Sequence, residues 1–169
     1  MVDGGMLIKE KTFPNLIKKK LEEYCCEVIK SNTSINLISK NTEDTIWNRH
    51  IIDSAQVVDI IPNEFNSFLD IGSGAGFPGI VVKLINNNLD ATLIESNKKK
   101  ARFLKDTAEK IGIDVNIFNK RFEDIEMVNN QETVILSRAV SSLSDLIRMG
   151  FKYFEIGSIG IFHKGITWE

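Results

Sequence analysis

Four glycines stand within eight residues, at Gly72, Gly74, Gly76 and Gly79, directly after the apolar run Phe68-Leu69-Asp70-Ile71. Glycine admits positive φ and lets a ligand approach bare main chain, and each one costs backbone entropy. Such a density points to a binding loop, with a ligand-free glycine turn as the plain alternative. The spacing discriminates among ligands. A dinucleotide fingerprint needs G-x-G-x-x-G, and its third glycine position is here the bulky Phe77. A P-loop is excluded because no Gly-Lys-Ser/Thr follows.

A G-x-G-x-G run after a strand that carries an acid resembles motif I of S-adenosylmethionine (SAM) methyltransferases. SAM carries no phosphate, so it needs bare backbone rather than an anion cradle. Three further segments fit such a site. Glu95 closes the run ATLIE, 23 residues after Gly72, where an acid can accept hydrogen bonds from ribose hydroxyls; alone, it would read as a solvated acid at a strand end. Lys120-Arg121-Phe122-Glu123-Asp124 offers an aromatic and an acid to an adenine, or is an ordinary charged turn. Arg138 follows the apolar run Thr133 to Ser137. A cation there needs a partner, either in a ligand crevice or at helix carboxyl ends that it braces.

The elements that must position these residues follow from periodicity. Residues 1–64 read as helical and residues 65–169 as an alternating strand–helix core. Pro14 suits a helix start, and Leu16, Ile17, Leu21, Tyr24, Val28 and Ile29 recur at helical spacing before the polar stretch 31–34 breaks the pattern. A second helix is expected over 42–61, with Ile46, Ile51, Val57, Val58 and Ile61 inward. Strands are expected over 68–71, 91–95, 115–118, 133–137 and 158–162, and helices over 78–86, from Asn97 to Gly112, and over 144–155. Alternation of this kind predicts a parallel sheet with helices on both faces and ligands at the strands' carboxyl ends.

Composition bounds the rest. The chain has 169 residues, 43% hydrophobic and 26% charged, which suits one globular domain. Net charge is −2, from 21 Lys and Arg against 23 Asp and Glu, so any nucleic-acid binding must use a local patch. Candidate patches are Lys18 to Lys20, Lys98 to Lys100 with Arg102, and Lys120 with Arg121. The adjacent Cys25 and Cys26 are expected to be reduced. With only two histidines besides, no metal is expected. The absence of a signal-like or membrane-spanning apolar run predicts a cytoplasmic protein.

Taken with Asn36-Leu37-Ile38-Ser39, Arg49-His50-Ile51-Ile52-Asp53-Ser54, Phe77-Pro78-Gly79, Ser137-Arg138-Ala139 and Lys164-Gly165, the chain resembles the bacterial 16S rRNA guanine-N7 methyltransferases, the glucose-inhibited division protein B family. The resemblance runs from about residue 35 to residue 165. It implies a Rossmann-like class I SAM methyltransferase core with an N-terminal helical extension. The cofactor would touch Gly72, Gly74 and Phe77 in the loop, Glu95 at the ribose, Phe122 and Glu123 at the adenine, and Arg138 beside the methionine end. His50 and Asp53 lie i, i+3 on one helix face and would stand on the substrate side, with a helix-packing hydrogen bond as the alternative. Asn36 would bond loop backbone. The substrate would be guanine N7 in the decoding region of 16S rRNA, in the small ribosomal subunit. That nitrogen holds a free lone pair, so no general base is expected. Sheets of this class hold seven strands; only seven residues follow Phe162, so the sixth and seventh strands are expected to be absent. The alternatives are a catalytically impaired SAM- or RNA-binding remnant of that family and, from another class, a nicotinamide oxidoreductase.

Overall fold

A computed structural model describes residues 11–126, 131–138 and 142–163. Its centre is a five-stranded sheet of β1 (Ser67–Ile71), β2 (Asp90–Ile94), β3 (Asn116–Phe118), β4 (Val134–Arg138) and β5 (Ile159–His163), in the order β3-β2-β1-β4-β5. Every pairing is parallel. The chain winds outward from β1 through β2 to β3 and returns to β4 on β1's other side. The topological switch therefore falls between β1 and β4, where ligands bind in such sheets.

Alternation along the strands sorts side chains to two faces. Phe68, Leu93, Val134 and Leu136 face a large cluster shared with Leu21, Tyr24 and Val28 of α1 (Asn15–Ile35), Ala55 and Val57 of α2 (Asp53–Ile60), Ile80 of α3 (Gly79–Ile85) and Leu104 of α4 (Lys98–Ile111). Leu69, Ile71, Ile94 and Ile135 face a smaller cluster closed by Tyr153 of α5 (Leu143–Phe154) and by Phe122 of a short 3-10 turn, Phe122–Asp124. Helices cover both faces as expected, but unequally: among the described residues four pack on one face and one on the other.

Local chemistry explains the boundaries. Asn97 caps α4, its side-chain oxygen accepting from the amides of Lys99 and Lys100. Gly112 ends the helix at φ +64, while the Ile113 amide donates to the Ala108 carbonyl and the Gly112 amide to Glu109, a Schellman motif. α1 differs from expectation. It runs through the stretch 31–34 to Ile35. The hydroxyls of Thr33 and Ser34 donate back to the carbonyls of Lys30 and Ser31, which absorbs their polarity within the helix.

The expected second helix is also different. It is split into a 3-10 turn at Lys40–Thr42, a π-type turn at Trp47–Ile52, and α2. The loop before it is held by Asn32 rather than Asn36. The buried Asn32 side chain accepts from the amides of Leu37 and Ile38 and donates to Glu43, whereas Asn36 supplies the left-handed residue that ends α1, at φ +60. Cys25 and Cys26 are free thiols, one buried and one exposed.

Candidate cofactor and substrate site

The glycine loop leaves β1 at its carboxyl end with positive φ at Gly72 (+67), Gly74 (+57) and Gly76 (+100), a conformation ordinary side chains resist. Main-chain bonds hold it open. The amides of Gly72 and Ser73 donate to the Ile94 carbonyl, and the Ser73 hydroxyl donates to the Asp70 carbonyl. The Gly79 amide donates to the buried Asp70 carboxylate at 3.1 Å. A Cβ at Gly79 would stand 2.6 Å from that carboxylate, so the close approach itself requires glycine. A Cβ at Gly74 would meet only the Gly72 carbonyl, at 3.8 Å, and otherwise enter open space.

Glu95, at the end of β2, faces this loop. One carboxylate oxygen accepts from the Gly74 amide at 2.8 Å, the other from the Asn97 amide at 2.7 Å. One side chain thus ties the loop to the start of α4. Each oxygen keeps further lone-pair capacity for a hydroxyl donor. The Asn119 side chain, beyond β3, donates to the Glu95 and Ser96 carbonyls and fixes the neighbouring segment.

Beside these residues lies a cleft of about 260 Å³ walled by Gly72, Ile94, Ser96, Lys120, Arg121, Phe122, Glu123 and Met149. An adjoining hollow shares Phe122, Glu123 and Met149 and extends to Arg148 and Lys152. Phe122 is buried and stacks on Tyr153 at 5.7 Å between centroids. The cleft therefore combines an aromatic ring and aliphatic side chains with one acid, two cations and bare backbone. A larger hollow of about 610 Å³ lies between the chain entering α1 and the π-type turn, near Phe13, Lys18 and Trp47. It lies away from the glycine loop and the carboxyl ends of the strands, so the sheet rule selects the smaller one.

A second cluster stands at the end of β4. The Arg138 guanidinium is 5.1 Å above the Phe77 ring and 3.5 Å from the Asp53 carboxylate, and it donates to His50 Nδ1 at 2.5 Å. His50 stacks on Phe77 at 4.9 Å, and its Nε2 is 3.0 Å from the Thr42 hydroxyl. A guanidinium has donors only, so Nδ1 must carry the lone pair and Nε2 the proton. Burial, then Arg138, pulls the His50 pKa down to about 4. Burial also lowers Arg138, against which Asp53 acts most strongly. His163 pairs in register with Arg138, is likewise lowered by burial, and has a buried Nδ1 with no hydrogen-bond partner.

The structure thus brings Gly72, Phe122 and Glu123 together in the cleft, with Gly74 and Glu95 bonded to each other. It brings His50, Asp53, Phe77 and Arg138 together in the second cluster. The Phe77 ring is buried among Tyr24, His50 and Arg138 and does not wall the cleft. Ala139, Lys164 and Gly165, which carry part of the family resemblance, lie outside the described residues. Sequence reasoning passed over Tyr24, Thr42 and the role of Asp70. Asp70 had a signal: it is the single acid inside an apolar strand, and it is fully buried with one carboxylate oxygen unpartnered. Burial drives its pKa up to about 7, against the Gly79 hydrogen bond. Among the described residues no group of three or more His, Cys, Asp or Glu stands ready to hold a metal, and no helix is long and apolar enough to cross a membrane.

Comparison with known proteins gives this geometry a family. The family GidB, rRNA small subunit methyltransferase G, matches residues 17–168. Ribosomal RNA small subunit methyltransferase G of Mycoplasma capricolum is 36% identical over 158 residues, covering 93% of this chain and 68% of the relative. The protein of the same name from Jannaschia is 37% identical over 153 residues, covering 88% and 72%. A solved structure described as a putative SAM-dependent methyltransferase of Methanococcus maripaludis superposes with a TM-score of 0.55 at 11% identity, covering 85% of this chain and 62% of that one. That likeness bears on the fold alone and makes it the Rossmann-like class I methyltransferase fold. With most of its length matched by the family, this chain belongs to GidB, the rRNA small subunit methyltransferase G family.

Proposed function

We propose that this chain methylates N7 of a guanine in the decoding region of 16S rRNA, using SAM as cofactor and the small ribosomal subunit as partner, in the cytoplasm. The observation that carries the reading is the Gly74–Glu95 pairing at the mouth of β1 and β2, in a chain of this family. The open space above Gly74, and a cleft that sets the Phe122 ring beside the Glu123 carboxylate, fit a nucleoside.

In this reading the main chain of Gly72 and Gly74 receives the cofactor, Glu95 accepts from its ribose, and Phe122 with Glu123 holds its adenine. Arg138 takes the methionine carboxylate. Phe77 contributes through its backbone and as the platform on which Arg138 rests. His50 and Asp53 hold Arg138 from the substrate side. When bound, SAM supplies an electrophilic methyl on a sulfonium. Guanine N7 needs no deprotonation, so the chain's residues serve to align the reactants, a contribution worth up to about 7–11 kcal/mol in favourable cases. Positive charge grows on the base during transfer, so a bare cation near it would hinder; an Arg138 engaged by Asp53 and His50 is consistent with a binding role. We also propose that residues 1–64 form a helical extension packed on a core of residues 65–169, of which the described part, α1 and α2, shares the large cluster with the sheet.

The test is methyl transfer from labelled SAM to 30S subunits that lack the modification, with the product nucleoside identified by mass. Appearance of 7-methylguanosine is expected. Label at another atom would overturn the N7 assignment, and SAM binding with no transfer would mark the chain as a catalytically impaired remnant.

A further inference from the structure

We infer that Tyr24 is a positioning residue for the glycine loop, so that the first helix is a working part of the cofactor site. The inference rests on the cofactor reading above and adds a residue to it. Tyr24 sits in the middle of α1 and is 0% exposed. Its hydroxyl donates to the Ala75 carbonyl at 2.7 Å, across 51 residues of sequence. Its ring packs on Phe77 at 5.1 Å between centroids. A Cβ at Gly76 would come within 2.9 Å of the same hydroxyl. Three consecutive loop residues therefore meet one side chain.

The contact controls one peptide plane. The loop's first half is pinned to the end of β2 through Gly72, Ser73 and Gly74, and its end is pinned to β1 through Gly79 and Asp70. The Ala75–Gly76 peptide lies between these anchors. Tyr24 holds its carbonyl, and its amide, that of Gly76, donates to the Ser73 carbonyl. Gly76, on one side of that peptide, has φ of +100, and Gly74, one residue before Ala75, has φ of +57. With both polar groups engaged, the plane cannot swing into the space above Gly74. Burial also raises the Tyr24 pKa well above its ordinary value, which keeps the hydroxyl a donor.

Tyr24→Phe deletes the hydroxyl and keeps the ring. Val28→Ala, one turn further along the same buried face, removes core volume and serves as control. S-adenosylhomocysteine is titrated into wild type and both variants by calorimetry, well below their melting temperatures. We expect Tyr24→Phe to weaken binding at least five-fold and to raise KM for SAM while kcat at saturation holds. Val28→Ala should stay within two-fold, although it too lowers the melting temperature. A second readout, amide hydrogen exchange at residues 73–77, should accelerate in ligand-free Tyr24→Phe and not in the control. Unchanged affinity and exchange in Tyr24→Phe, or equal weakening in Val28→Ala, would overturn the inference while leaving the cofactor reading in place. No binding by wild type would overturn the cofactor reading, and this inference with it.

Discussion

His50 accepts from a guanidinium and is therefore neutral with its proton on Nε2, facing Thr42. Its pKa of about 4 when folded lies below the 6.5 of a free histidine. Protons then favour the unfolded chain, so this contribution to stability is complete above pH 6.5 and is lost as pH falls toward 4. Asp70 works in the opposite sense. Its folded pKa of about 7 exceeds the ordinary 3.8, so its contribution is complete below 3.8 and is lost as pH rises through 7. Melting temperatures of His50→Gln and Asp70→Asn, each taken relative to wild type between pH 4 and 8, should expose the two arms. The His50→Gln difference becomes more favourable toward pH 4, and the Asp70→Asn difference more favourable toward pH 7. Parallel curves for either variant would contradict the assignment. Gly74 offers a second test at this scale. Its Cβ direction is open but its φ is +57. Gly74→Val should therefore cost about 1–2 kcal/mol of stability from left-handed strain, yet abolish S-adenosylhomocysteine binding; normal binding would remove the loop from the site.

Among the elements, α4 carries a local conflict. Lys98, Lys99 and Lys100 occupy its first turn, which holds no acid, against the positive end of the helix dipole. Each such charge costs about 0.3–1 kcal/mol. A polyanionic partner would offset that cost, and Lys120 and Arg121 line the neighbouring cleft. By contrast Lys20 is committed to the Gly112 carbonyl and Lys18 pairs loosely with Glu22. Replacing Lys98, Lys99 and Lys100 with alanine should raise the melting temperature while weakening rRNA binding and flattening its salt dependence by about one unit of slope per lost phosphate contact. A stabilised variant with unchanged RNA affinity would show that the lysines only solvate the surface. α4 itself is legible in sequence because cap, amphipathic face and terminal glycine all agree. The end of α1 is not: its 31–34 stretch looks like a break by residue type, and only the back-bonding of Thr33 and Ser34 shows why the helix tolerates it. The π-type turn at Trp47–Ile52 is hidden for a different reason: a hydrophobic pattern does not distinguish a wide turn from a regular one.

At the scale of the whole molecule, the strands and the glycine loop can be read from short segments, but the convergence on Phe77 cannot. Tyr24, His50 and Arg138 reach that ring from three distant parts of the chain. Periodicity says that Tyr24 is inward and does not say what it meets. Strand order settles it, by putting the end of β4 beside β1 at the switch point and α1 across the same face. A site assembled this way, by the sheet ends and the helical face together, should transmit ligand binding to global stability. A ligand at one hundred times its Kd adds about 2.7 kcal/mol, and a chain of this size gains roughly 2–4 °C per kcal/mol. S-adenosylhomocysteine at that excess should therefore raise a single melting transition by roughly 5–10 °C, and NAD at equal concentration should leave it unmoved. Because Tyr24 and Glu95 tie α1 and α4 to the same loop, the shift should appear in one cooperative transition rather than in a separate, earlier loss of the helical face. Stabilisation by NAD alone, or a transition that splits on ligand addition, would contradict both the cofactor assignment and the coupling of the helices to the loop.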